Sequence, residues 1–188
     1  MDASISGSLE SNTPPSSSHP MESRSAAATV IAYEAARVEW RQHPAYRRTI
    51  AQHFVEDVHP MFREMFNSVE QALSKREKKG ETPLVDKQVQ RMFHNAWSNL
   101  EHHHQAEDRL MFPRLREFAP TQLEAFDVLE EDHKRLYPLK DAVLSSLDNS
   151  MLSDEDRRRS LSEFIALLMD HLNREEFLVV PMFMNGAW

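Results

Sequence analysis

Two stretches of this 188-residue chain carry metal-ligand side chains at one-turn spacing. The first is His102-His103-His104-Gln105-Ala106-Glu107-Asp108, and the second is His171-Leu172-Asn173-Arg174-Glu175-Glu176. On an α-helix residues i and i+4 share a face, so His103 with Glu107, and His171 with Glu175, each converge on a single ion. Imidazole and carboxylate together suit hard or borderline divalent cations. Pro181 stands as far beyond His171 as Pro113 does beyond His103, so the register is selected twice. His104 with Asp108 is a competing frame of the same interval, but it does not reproduce the distance to the proline.

Two more histidines complete the set. His59 is followed by Phe62, Met65 and Val69, and His133 by Leu136, Leu139 and Val143, at matching intervals. His53, four residues before Asp57, competes with His59 but breaks the repeat. His19, His43, His94, His102 and His104 are expected to be exposed or to stand behind the ligands, with His104 able to swing in as an extra donor. Met61, Met65 and Met111 are expected to fill gaps nearby.

These side chains need helices to aim them. Few glycines, long runs without turn residues and apolar positions at helical spacing predict an all-α chain, with no period-2 strand. The expected architecture is an antiparallel up-down four-helix bundle with an extra N-terminal helix and a disordered tail. The tail is the Ser/Pro-rich segment 1–25, too poor in large apolar side chains to offset its ordering entropy. An accessory helix over about 26–42, with Ala28, Ile31, Ala35 and Val38 on one stripe, either packs across the end of the bundle or stays loose.

The main helices are expected over about 45–79, 83–117, 121–148 and 153–181. The first carries Ile50, Phe54, Val58, Phe62, Met65, Val69 and Leu73 and stops at Gly80, and Pro60 predicts a break beside His59. The second carries Val85, Val89, Met92, Ala96 and Leu100, its seam continuing through His103, Glu107 and Leu110. The third opens on a capping box, Thr121-x-x-Glu124, and buries Phe126, Leu129, His133, Leu136, Leu139, Val143 and Leu147. The fourth is capped by Ser153 and buries Leu161, Phe164, Leu168, His171, Glu175 and Leu178. Arg157-Arg158-Arg159 reads as a solvated face.

Composition removes several classes. With no cysteine there is no disulfide, thiolate zinc site, iron–sulfur cluster or thiol nucleophile. A net charge of −8 gives no basic face for nucleic acid. No apolar run approaches a membrane span, and the N-terminus matches neither a secretory signal nor a transit peptide, so a soluble cytoplasmic protein is expected. Six polar groups directed into a helical core would each cost on the order of 1–3 kcal/mol if left unpaired, which a metal would relieve.

His59, His103-x-x-x-Glu107, His133 and His171-x-x-x-Glu175, with the Met-Phe-Pro and Val-Val-Pro endings, resemble the hemerythrin-like, or HHE cation-binding, family over about residues 45–184. The resemblance implies two iron ions (Fe2+/Fe3+) with an oxo or hydroxo bridge, held by those six residues, with the two Glu bridging. Manganese or zinc would suit the same donors. It also implies a small oxidant as partner: dioxygen, peroxide or nitric oxide. Oxygen-carrying members place a further His one turn after the third-helix ligand. Here that position is Tyr137, a phenol able to donate a hydrogen bond or ligate weakly, which favours sensing or peroxide-consuming roles over a dedicated carrier. A second reading, from a different class, is a helical protein-interaction module whose metal site is empty or purely structural.

Overall fold

The computed structural model describes residues 32–77 and 87–188. The predicted tail, the start of the accessory helix with Ala28 and Ile31, the Gly80 stop and Val85 lie outside the described residues. Among the described residues the chain is helical and contains no strand.

Helix α1 covers 32–42, and a 3-10 turn at Tyr46–Arg48 follows. Helix α2 is continuous through Ile50–His53, Phe54–Val58 and His59–Glu77. Helix α3 runs through Lys87–Ala106, Glu107–Met111 and Phe112–Phe118. Helices α4 and α5 are Leu123–Asp148 and Asp154–Met184. The four long helices pack in a closed cycle, α2 on α3, α3 on α4, α4 on α5 and α5 on α2. None is long and apolar enough to cross a membrane.

Two apolar clusters sit at different levels of this cycle. One contains Phe62, Phe66, Phe93, Leu100, Leu136, Phe164, Leu168 and Leu172, and the other Phe54, Met111, Phe112, Phe126, Leu129, Val179, Val180 and Phe183. Each helix crosses from one to the other. Chain order alternates: α2 and α4 leave the second cluster for the first, while α3 and α5 go the other way. The candidate ligand positions lie between the clusters on all four helices.

Local chemistry accounts for most boundaries. Ser153 caps α5 by accepting from the Asp156 N–H at 3.1 Å. Past α5, Gly186 takes the left-handed φ of 88° that closes a helix end, and the Ala187 N–H returns to the Met182 carbonyl. Pro138 and Pro181 are accommodated inside α4 and α5, so α5 runs a turn farther than expected. The capping box is not formed: Gln122 stands at the N-cap of α4 without a side-chain hydrogen bond.

The expected break at His59–Pro60 takes a different form. Phe54–Val58 is a π-helical turn that ends two residues before Pro60, and Glu107–Met111 is another that ends two residues before Pro113. A proline removes one N–H and crowds the carbonyl one turn back, and widening that turn by a residue relieves both without breaking the helix. The extra residue shifts the helical phase. Leu110, expected on the seam, is therefore 66% exposed, and Met111 turns inward in its place.

Two other expectations are corrected. In α1 the described part of the predicted stripe, Ala35 and Val38, faces water, with Val38 54% exposed, while Tyr33 and Trp40 pack edge-on against Phe177 of α5. The helix docks through its larger aromatic surface. Arg157 is buried instead of solvated. Its Nε donates to the Ser146 carbonyl at 3.1 Å, Nη2 to the Asn149 carbonyl at 2.8 Å and Nη1 to Asp154 at 2.9 Å. It thus caps the C-terminal end of α4 from the next helix. Replacing it with Met would strand two carbonyls, so Arg157→Met is expected to lower unfolding stability by about 2–4 kcal/mol in chemical denaturation. Arg159→Met, at an exposed position of the same triplet, is the control and is expected to change it by less than about 0.5 kcal/mol.

Candidate metal centre

The layer between the apolar clusters holds two groups of donors whose ligating atoms lie within 4.8 Å of one another. One group is His59, His103, Glu107 and Glu175. The other is His104, Glu107, His133 and His171. Glu107 belongs to both, and all six sequence-predicted residues are brought together.

Geometry within the groups suits coordination better than mutual hydrogen bonding. His103 Nε2 is 2.6 Å from Glu107 Oε1, and His59 Nε2 is 3.4 Å from Glu175 Oε2. His133 Nε2 lies 3.2 Å from His171 Nε2 and 3.6 Å from Glu107 Oε2. Donors about 2.1 Å from one ion at right angles are about 3 Å apart, so these spacings are those of a coordination shell. Nε2 of His59, His103 and His104, and both carboxylate oxygens of Glu107 and Glu175, are buried without a hydrogen-bond partner. Buried polar atoms are ordinarily paired. Cations bound at the two groups would satisfy them.

The imidazoles are aimed from behind. His59 Nδ1 donates to Glu176 Oε1 at 3.0 Å, and His133 Nδ1 donates to Asp108 Oδ1 at 2.8 Å. His171 Nδ1 faces Asp132 Oδ2 at 3.7 Å, longer than a direct hydrogen bond. Each acid comes from the preceding helix of the cycle: α3 supports α4, α4 supports α5, and α5 supports α2. Holding the Nδ1 proton on a carboxylate leaves Nε2 as the lone-pair nitrogen and fixes the ring's orientation.

Sequence reasoning missed Asp132 and Glu176, and had weighed Asp108 only as the partner of His104. A signal existed: each supporting acid is adjacent in sequence to a donor, at Glu107-Asp108, Asp132-His133 and Glu175-Glu176.

The structure also places three further candidate positions. His104, expected outside the ligand set, is buried and stacks on His133 with ring centroids 3.9 Å apart. It supplies a fifth imidazole from α3 in place of one from α4. Tyr137 lies apart from the cluster: it is 41% exposed, its hydroxyl donates to Glu101 at 3.1 Å, and its ring packs on Trp97. His53 is exposed and pairs with Asp57 at 2.8 Å. Of the three methionines, Met111 is buried, Met65 half-buried and Met61 exposed.

Around the donors, Phe54 packs 4.1 Å from the His59 ring, and Phe62 4.9 Å from His103. This apolar wall sets the electrostatics. Burial, with a smaller push from Asp108, holds the Glu107 carboxyl far above the usual carboxylate range, although the neighbouring Glu175 carboxyl opposes it. Burial and the Glu107 charge raise Glu175 likewise. Burial lowers His103 to about 3 and His171 to about 4, and drives His104 well down with help from the neighbouring imidazoles. Without a cation the layer therefore favours neutral His103, His104 and His171 and protonated Glu107 and Glu175. A divalent ion replaces those protons.

The sequence matches the hemerythrin HHE cation binding domain over residues 50–183, a span that includes every donor just described. The chain belongs to this family. No curated protein and no solved structure matches it. Membership assigns metal-cation binding to the hemerythrin-type layer.

The raised carboxyls have a pH consequence for the metal-free protein. A carboxyl whose folded-state pKa is raised adds stability that is present below its ordinary value and lost as pH rises through the folded one. Depressed imidazoles act oppositely, costing stability as pH falls below their ordinary 6.5. Above neutrality only the carboxyls contribute to the slope. Chelator-treated protein is therefore expected to lose melting temperature as pH rises above about 7, and the Glu107→Gln/Glu175→Gln double variant to stay flat there. Parallel slopes for the two proteins would contradict this assignment.

Proposed function

We propose that the four long helices form an antiparallel up-and-down bundle whose central layer is a non-haem di-iron site for a small oxidant. The observation that carries this reading is the sharing of Glu107 between two donor groups, each of which has donors enough for its own ion. A carboxylate with both oxygens buried and unpaired is suited to bridge two cations. The first ion would take His59, His103, Glu107 and Glu175, and the second His104, Glu107, His133 and His171.

When bound, such an iron pair supplies open coordination positions and one-electron chemistry toward dioxygen, peroxide or nitric oxide. The chain's own residues do the rest. Glu176 and Asp108 hold the Nδ1 protons of His59 and His133, so both rings present Nε2 without searching for a tautomer. Phe54, Phe62 and Phe112 line the imidazoles and limit water at the layer. His104 restores the imidazole that Tyr137 does not provide, so the argument against reversible oxygen binding from a reduced histidine count no longer applies. Reversible binding and sensing share this donor set with peroxide consumption.

The shared carboxylate makes loss of metal asymmetric. Purified protein is expected to carry about two irons per chain by elemental analysis, with Glu107→Ala losing both and His133→Ala about one. Chelation is expected to lower the melting temperature, because ligand binding to the folded state alone stabilises it. Protein that binds no metal, or whose stability ignores chelation, would leave the interaction-module reading instead.

A further inference from the structure

Helix α1 precedes the matched span, which begins at residue 50, yet it reaches the metal layer. Arg37, on α1, donates from Nε to Glu176 Oε2 at 2.8 Å. The other oxygen of the same carboxylate, Oε1, accepts from His59 Nδ1 at 3.0 Å and from Arg63 Nη2 at 3.1 Å. Glu176 is 1% exposed. One buried carboxylate therefore joins an α1 guanidinium to a donor imidazole with no intervening residue.

The arginine is held in a fork. Its Nη2 donates to Asn173 Oδ1 at 3.1 Å and its Nη1 to Glu34 at 2.7 Å, while Asn173 also accepts from Arg63 at 2.8 Å. Tyr33 and Trp40, on either side of Arg37, seat on Phe177, the residue after Glu176. The docked helix and the aimed imidazole share the same short segment of α5. By contrast, Arg41 on the same helix bonds from its Nε to Glu56 Oε1 at 3.2 Å.

We propose that Arg37 and Glu176 are positioning residues for the His59-side metal, and that docking of α1 and occupancy of that metal stabilise each other. This rests on the metal-binding reading above. A cation on His59 Nε2 fixes the ring, the ring fixes the Glu176 carboxylate through Nδ1, and the carboxylate presents its second oxygen to Arg37. Coupling of this kind is reciprocal: whatever occupancy adds to docking, docking adds to occupancy. Removing the guanidinium leaves Glu176 with one fewer anchor and lets the His59 ring wander, whereas the His133 and His171 side is held by Asp108 and Asp132 and is untouched.

The test uses the full chain loaded with Co2+, whose ligand-field absorption reports the donor set, together with hydrogen exchange over residues 32–42. Wild-type protein is expected to show slower exchange in 32–42 when loaded than when stripped. Arg37→Ala and Glu176→Gln are expected to erase that difference, to lose one of the two metals about tenfold faster to a chelator, and to alter the Co2+ spectrum. Arg37→Lys, which keeps the charge and folds with the least disturbance, is expected to recover part of the retention, and Arg41→Ala to behave as wild type. If wild-type protein holds two metals but Arg37→Ala and Arg37→Lys release them at the wild-type rate, or if exchange in 32–42 is indifferent to loading, the coupling is overturned while the metal site stands. Wild-type protein that takes up no Co2+ or iron overturns both.

Discussion

The structure depends on how a dry layer of acids and bases is neutralised. Five imidazoles and two carboxylates converge where the two apolar clusters leave a gap, and burial makes any uncompensated charge there expensive. Protons provide one solution, which costs the layer its ionised donors. Bound metal cations would provide the other, and they would use the unpaired Nε2 atoms of His59, His103 and His104 and the unpaired oxygens of Glu107 and Glu175. The site is therefore a folding constraint as well as a functional one, since metal affinity in such a layer is part of the free energy of folding.

Support for the donors is arranged around the helical cycle. Asp108 and Glu176 each hydrogen-bond an imidazole on the next helix, and Asp132 faces His171 in the same sense, so His59, His133 and His171 are each supported from a neighbouring helix. Rotating or sliding one helix would loosen the support of its neighbour as well as its own ligands. The carboxylates are themselves charge-compensated from the outside: Asp132 forms an ion pair with Arg174 at 2.9 Å, and Glu176 accepts from Arg37 and Arg63. Burial alone would raise Glu176, yet the His59 hydrogen bond and the Arg37 guanidinium outweigh it and hold the group at about 2. It remains an anion behind His59 while Glu107 and Glu175, a few ångströms away, favour the neutral form until a cation arrives.

The π-helical turn of α3 explains why the buried seam leaves Leu110. A regular helix would carry the seam from Glu107 to Leu110, and the widened turn at Glu107–Met111 redirects it to Met111 and Phe112. Upstream, His103 and His104 point to the two sides of Glu107, one joining each donor group. The proline that makes the wide turn favourable is thus linked to the placement of Glu107, the donor common to both groups, at the start of that turn.

Helical class, the paired His-x-x-x-Glu turns and the repeated placement of His59 and His133 were determined by the sequence alone, because ligand spacing and apolar periodicity are local properties of a helix. Those six residues do meet. What only the tertiary structure decided is everything that depends on helical phase after a wide turn or on a neighbour's reach across the interface. His104 enters the layer because α3 faces both α2 and α4 there, Tyr137 stays on Glu101 at the surface, and Arg157 is buried because the end of α4 lacks partners of its own. Spacing along one chain segment cannot reveal such meetings, since they are fixed by where a second segment's backbone lies and by which polar groups it leaves unsatisfied.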